Sequence, residues 1–330
     1  MTRVLGGDIG GTKTILRLVE RLGDNVKVIA EEQYDSQLYH HLNPIIENFL
    51  KGDENPIDSA CFAIAGPVAD NKSQLTNLSW ELDASQISTH LNIPSVSLIN
   101  DFAAVGYGIL CLQSNDLDVI QERTAQPEAP IAILGAGTGL GEALMVWSSG
   151  RYEVIPTEGG HADFAPSSDL EIGLLKYLRQ RHGHVSVERV VSGQGIYAIY
   201  EFLRDTQMFP ENLEVRSQLE TTDTHGAVIS QYGLSGQDEM CETTLNTFVS
   251  AYGAEAGNIA LKSLAYGGVY LAGGIAAKLG EKMHSPLFIN SFLGKGRMRP
   301  LLEKMPVSII TNLNVGLMGA VYYAQRDLTP

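Results

Sequence analysis

The sequence predicts a two-lobed α/β protein assembled from a duplicated strand-and-glycine-turn unit, and three observations carry that prediction. Two apolar runs, residues 3–9 and 14–19, flank Gly10-Gly11-Thr12-Lys13, a connection with the length and glycine content of a tight hairpin. The same logic returns at residues 131–134, a buried-strand pattern running into Gly135-Ala136-Gly137-Thr138-Gly139-Leu140-Gly141. A chain of 330 residues, 44% of them hydrophobic, also exceeds one ordinary domain by about twofold and can fill two cores.

The elements follow in order. Residues 26–33 extend the first hairpin to a third strand, and an amphipathic helix is expected around 40–50. Ser59-Ala60-Cys61-Phe62-Ala63-Ile64-Ala65 is compact and short enough for a buried strand, and stops at Gly66-Pro67. Residues 96–99 form another such strand, ending in Asn100-Asp101 before a helix over 102–111. Polar groups that follow a buried strand commonly face a cleft. Residues 112–130 turn polar, with 121–127 the most linker-like stretch, so a boundary is placed near 112. A long helix over about 240–265 precedes Gly268-Val269-Tyr270-Leu271-Ala272-Gly273-Gly274, and residues 315–325 close the chain as a helix. The expected domains are therefore 1–111 with about 305–330, and about 112–304.

Composition removes several function classes. A formal charge of -15 sets most of the surface against a polyanion, so nucleic acid is not the expected partner. No apolar run approaches the roughly 20 residues that span a bilayer, and the first residues lack a signal-peptide pattern, so a cytoplasmic location is expected. Cys61, Cys111 and Cys241 are widely separated and offer neither a disulfide framework nor a Cys-x-x-Cys zinc pair.

The glycine turns suit phosphate, because missing Cβ atoms let backbone N–H groups approach phosphate oxygens. Neither is a standard nucleotide loop. A P-loop needs Lys before Ser or Thr and a helix after it, whereas here Thr12 precedes Lys13 and a strand follows. The second turn carries Leu140 where the dinucleotide fingerprint requires Gly. Asp8 is the awkward member, since a carboxylate about 4 Å from phosphate costs on the order of 4 kcal/mol at an effective dielectric near 20. A bridging Mg²⁺ reverses that sign, which makes Asp8 the metal-side candidate. The plainer reading is a hairpin whose Asp8 caps a turn.

Taken together, Asp8-Ile9-Gly10-Gly11-Thr12 between strands, then Gly137-Thr138-Gly139, then Leu271-Ala272-Gly273-Gly274-Ile275 resemble the sugar kinase, actin and Hsp70 superfamily. That resemblance implies an actin-like, ribonuclease H-like ATPase fold around a central cleft, binding ATP with Mg²⁺. It makes Gly7, Asp8, Ile9, Gly10, Gly11, Thr12 and Lys13 the first phosphate loop, Gly137, Thr138 and Gly139 the second, and sets Gly273 and Gly274 under adenosine. Asn100-Asp101-Phe102, Glu158-Gly159-Gly160-His161-Ala162-Asp163-Phe164-Ala165-Pro166, Val187-Glu188-Arg189-Val190-Val191-Ser192-Gly193 and Lys295-Gly296-Arg297 then resemble the bacterial glucokinase family, over essentially the whole chain. The family resemblance implies phosphorylation of glucose at its 6-hydroxyl, feeding glycolysis, with self-association into a homodimer left open. It makes Asp101 the general base and gives Asn100, Glu158, His161 and Glu188 to the sugar hydroxyls. Lys13-Thr14 is more like the related ROK kinases, but the cysteine cluster that follows the His of that group is missing here.

Each residue also has a structural alternative. Asn100 and Asp101 after a strand suit a helix N-cap, His161 a satisfied structural histidine, and Glu188 an exposed partner for Arg189. His182-Gly183-His184 lacks further metal ligands at suitable spacing and reads as a solvated loop. Two other functions stay open at this level: a kinase for another hexose or aminosugar, and a sugar sensor that keeps the fold without transfer.

Overall fold

The computed structural model describes residues 1–22, 25–75, 78–326 and 328. These divide into two compact units, one of Met1–Ser114, Glu153–Pro156 and Asn312–Pro330, the other of Asn115–Tyr152 and Thr157–Thr311. Positions 327, 329 and 330 of the expected 305–330 segment lie outside the described residues.

The first unit opens with β1 (Thr2–Ile9), β2 (Lys13–Leu22) and β3 (Asn25–Asp35), an antiparallel meander. Then come α1 (Leu42–Phe49), β4 (Ser59–Ile64), a two-stranded hairpin of β5 (Lys72–Leu75) and β6 (Trp80–Asp83), α2 (Ala84–Leu91), β7 (Ser95–Asn100) and α3 (Asp101–Ile109). The main sheet has the order β3-β2-β1-β4-β7, with β4 parallel to both β1 and β7. Every residue of β4 is buried, as its unbroken apolar run requires of a central parallel strand covered on both faces. Side chains alternate across the pleat, so Leu5 and Ile9 join one core with Leu16, Phe62 and Trp80. Val4 joins the other, with Val19, Cys61 and Ala63, under Ala320, Val321 and Ala324 of a helix from the far end of the chain.

The second unit's sheet begins with β8 (Leu117–Gln121), β9 (Ile131–Ala136), β10 (Leu140–Ser148) and β11 (Arg151–Thr157), the last with its residues Glu153–Pro156 grouped in the first unit. Helices α4 (Asp169–His182), α5 (Gly193–Asp205), α6 (Leu213–Leu219), α7 (His225–Leu234) and α8 (Glu239–Ser263) follow. The remainder is β12 (Gly268–Ala272), α9 (Gly274–Leu279), α10 (Pro286–Leu293), α11 (Arg299–Leu302) and β13 (Val307–Ile310), after which α12 (Val315–Arg326) returns to the first unit. The sheet order β11-β10-β9-β12-β13-β8 repeats that of the first unit, with β8 added at one edge. Pairing repeats as well: β9 is antiparallel to β10 and parallel to β12, and β12 is parallel to β13. The duplication expected from the glycine turns is thus present at the level of strand topology.

Candidate functional site

Each unit contributes its own cluster of predicted residues. In the first, β1 and β2 are register-paired from Thr2–Arg21 to Ile9–Thr14, and Gly10 N–H donates to Lys13 O at 2.9 Å to close the turn. The turn is tied down from the side, because Ser36 Oγ donates to Gly10 O at 2.9 Å and Ser36 N–H to Thr12 O at 2.9 Å. Residues 10–13 with 33–35 line a cavity of about 570 Å³.

Asp8 ends β1 and Asp101 follows β7, so both carboxylates leave the carboxyl ends of parallel strands, where open α/β sheets present their ligand sites. Burial raises the Asp8 pKa against the pull of the Lys13 ammonium. Burial likewise raises that of Asp101, the Phe102 N–H opposing it at 2.8 Å from Oδ1 and the nearby Asp8 charge adding to it. Asp101 nevertheless keeps solvent access. Asn100 is the N-cap of α3, its Oδ1 accepting from Phe102 N at 2.9 Å and Ala103 N at 3.2 Å, while Nδ2 donates to Gly66 O at 3.1 Å. The capping alternative for Asn100 is therefore realised, and its side-chain amide also hydrogen-bonds the Asp101 carboxylate.

In the second unit the turn Gly137-Thr138-Gly139 joins β9 to β10, with Gly137 N–H donating to Gly139 O at 2.8 Å. Glu188 reaches this turn, as Oε2 accepts from Leu140 N–H at 2.8 Å. Its other oxygen lies 3.9 Å from His161 Nδ1, and His161 Nε2 lies 3.9 Å from Glu158 Oε2. The structure thus brings Glu158, His161 and Glu188 into one group beside the second turn, two carboxylates flanking an imidazole. Glu158 and His161 are exposed and Glu188 half-buried, as suits groups that meet a ligand. Glu188 does not pair with Arg189 in this arrangement.

Gly273 N-caps α9 at φ +83°, a left-handed conformation in which a Cβ would also lie 2.5 Å from Ala136 O. Only glycine lets the ends of β12 and β9 meet this closely. Ser192 and Gly193, absent from the predicted site list, belong to the same place. Gly193 N–H donates to Gly137 O at 2.8 Å, and Ser192 Oγ accepts from Gly195 N at 2.9 Å, capping α5. The signal for them was Ser192-Gly193-Gln194-Gly195 opening a helical run. His184 sits 2.9 Å from Asp163, and no group of three or more His, Cys, Asp or Glu among the described residues is arranged to hold a metal.

A duplicated sheet of this order, with a glycine turn after the first strand of each copy, is the actin-like ATPase fold in its sugar-kinase form. A glucokinase from an Antarctic psychrotroph has it at TM-score 0.88 and 31% identity, over 98% of this chain and 99% of that one. A ROK family glucokinase from Streptomyces griseus, solved in complex with glucose and AMPPNP, shares the fold at TM-score 0.62 and 20% identity, over 98% and 99%. The family model described as Glucokinase matches residues 5–327. A glucokinase of Nostoc sp. is 51% identical over 341 residues, covering 99% of this chain and all of the relative. The chain belongs to the glucokinase family.

Proposed function

We propose that this chain transfers the γ-phosphoryl group of ATP to the 6-hydroxyl of glucose, with Asp101 as the base. The observation that carries the reading is the pair of carboxylates, Asp8 and Asp101, at the carboxyl ends of β1 and β7, both pushed towards protonation by burial. A carboxylate so placed is a stronger base than one in water, and Asp101 keeps the solvent access an incoming hydroxyl needs.

In this reading Asp101 accepts the proton of the 6-hydroxyl as its oxygen attacks the γ-phosphorus, and ADP leaves. Proton transfer of this kind is worth about 10² to 10⁴ in rate. The remainder comes from positioning and from neutralising phosphate charge. Backbone N–H groups of Gly11 and Thr12 and of Thr138 and Gly139, which the hydrogen bonds closing the two turns leave over, face phosphate oxygens, with Lys13 adding charge to the first turn. Mg²⁺, when bound, neutralises the polyphosphate. Asp8 is the residue that would hold it, directly or through water, because a buried carboxylate countered only by Lys13 fits a cation better than a bare phosphate. Glu158, His161, Glu188 and the side-chain amide of Asn100 hold sugar hydroxyls. Gly273 and Gly274 pass beneath adenosine.

The test replaces Asp101 by Ala and measures sugar phosphate formation alongside glucose binding by calorimetry, with glucose, mannose, fructose and N-acetylglucosamine as substrates for the unmodified chain. Loss of turnover by at least about 10² with glucose still bound is expected. Turnover near the original level would remove Asp101 as the base, and a kcat/KM favouring another sugar would move the substrate.

A further inference from the structure

Behind the Glu158–His161 segment lies a carboxyl that this mechanism does not use. Glu142, on β10, is 5% exposed, and its Oε1 is sealed from solvent without a hydrogen-bond partner among the described residues. Its Oε2 occupies the space that a side chain at position 159 would fill, so a Cβ on Gly159 would collide with it. The backbone there is tied to the same residue, since Thr157 Oγ1 donates to Glu142 O at 3.1 Å and accepts from Gly159 N–H at 3.1 Å.

The charges of Glu255 and Lys262, on α8, act on the Glu142 carboxyl, and it acts on the Tyr252 hydroxyl of the same helix. Glu255 is also 5% exposed and accepts from Asn258 Nδ2 at 2.9 Å. Asn258 Oδ1 accepts in turn from Lys295 Nζ at 2.6 Å, a lysine that feels both Glu255 and Lys262. Glu158 and His161 themselves are the titratable groups of the segment in front.

We infer that Glu142 is a positioning residue for the sugar, its carboxyl propping the Gly159 peptide from behind so that Glu158 and His161 on either side are presented in fixed geometry. The inference rests on the reading of that segment as sugar-binding. Burial, reinforced by Glu255 and opposed by Lys262, moves the Glu142 carboxyl from 4.5 up to about 7. It is therefore the neutral acid on the acid side of neutrality and acquires charge on the alkaline side. A charge without a partner in a buried space draws in water or a cationic side chain, which displaces the peptide it supports.

The experiment is steady-state kinetics with glucose and ATP varied separately, from about pH 6 to 9, for the unmodified chain, E142Q, E142A and H161A. Glutamine keeps the shape and cannot ionise. The unmodified chain is expected to show a rise in glucose KM of about threefold to tenfold above pH 7, with ATP KM unmoved. E142Q is expected to hold its acid-side KM throughout, and E142A, which removes the prop, to raise glucose KM about tenfold at every pH. The inference is overturned if glucose KM of the unmodified chain is flat, if E142Q shows the same alkaline rise, or if glucose and ATP KM change together. H161A separates the two layers: if it leaves glucose KM unchanged, the sugar-binding reading of the segment falls and the inference with it. If H161A raises glucose KM while the Glu142 variants do not, only the inference falls.

Discussion

Glu142 makes a prediction about stability that is independent of catalysis. A carboxyl whose folded pKa lies above its unfolded value binds more protons folded than unfolded, so folding loses stability as pH rises between the two values. For Glu142 that window runs from 4.5 to about 7, below which nothing is lost and above which the loss is constant. E142Q removes the ionisation, so its Tm relative to the unmodified chain is expected to climb across the window. The plateau gain is on the order of 3 kcal/mol, set against a pH-independent cost of burying the amide. A Tm difference that is the same at pH 4.5 and pH 8 would contradict the raised pKa. This residue was not legible in the sequence. A glutamate two positions after Leu140 shares that residue's face of the strand, but nothing local tells whether the face meets solvent or, as here, is buried. Asp8, Asp101, His161 and the glycines stood out as candidates because their chemistry is odd for the turns that carry them. Asn100 had two readings in the sequence, cap and ligand, and the cap is what its geometry realises.

Among the elements, α8 is the longest helix described, 25 residues from Glu239 to Ser263, and its two ends behave differently. Asp238 caps the start, Oδ1 accepting from Cys241 N–H at 2.7 Å, and Glu239 and Glu242 complement the helix dipole. D238A is expected to cost about 1 kcal/mol, or more because Asp238 is buried, read as a lowered urea midpoint at unchanged slope. The other end stops on Leu264 in the left-handed region, φ +52°, with its side chain exposed. A branched side chain is strained there and glycine is not, so L264G is expected to stabilise by about 1 kcal/mol, measured in the same titration. The 240–265 helix was read within two residues because a run of this length without proline, far longer than a strand, has no other regular structure to adopt. β8 was missed, residues 112–130 having been read as polar connection. Only three of its five positions are apolar, and the partner that makes it a strand, β13, lies nearly two hundred residues away with a bulge in the pairing. Edge strands made by distant partners leave little trace in local pattern.

At the scale of the whole chain, each unit has its own sheet and core, and the first is closed by the C-terminal segment. Ser59 Oγ donates to Ala324 O at 2.5 Å across 265 positions of sequence. Ala320, Val321 and Ala324 cover Val4, Val19, Cys61 and Ala63. Ending the chain after Thr311 is expected to leave the second unit's sheet intact while opening that face of the first. Native-state hydrogen exchange would show it as lost protection in β1 and β4 with β9 and β12 still protected. Equal loss in both sheets would mean that the units do not fold separately. The repeated topology was legible from the two glycine turns, because each closes the antiparallel pair that opens its copy of the sheet. The last helix was legible only as a closing helix, and its covering role was not, since its partner strands lie near the opposite end of the sequence.

That return of α12 has a consequence for synthesis. A ribosome adding about 5 to 20 residues per second delivers the whole of the second unit before the helix that seals the first. For many seconds the earliest strands exist with one apolar face bare, including the thiol of Cys61, which is fully buried in the finished protein. The protein is completed back to front, and nascent chains stalled short of α12 are the form in which chaperone binding to this face, or alkylation of Cys61, would be seen.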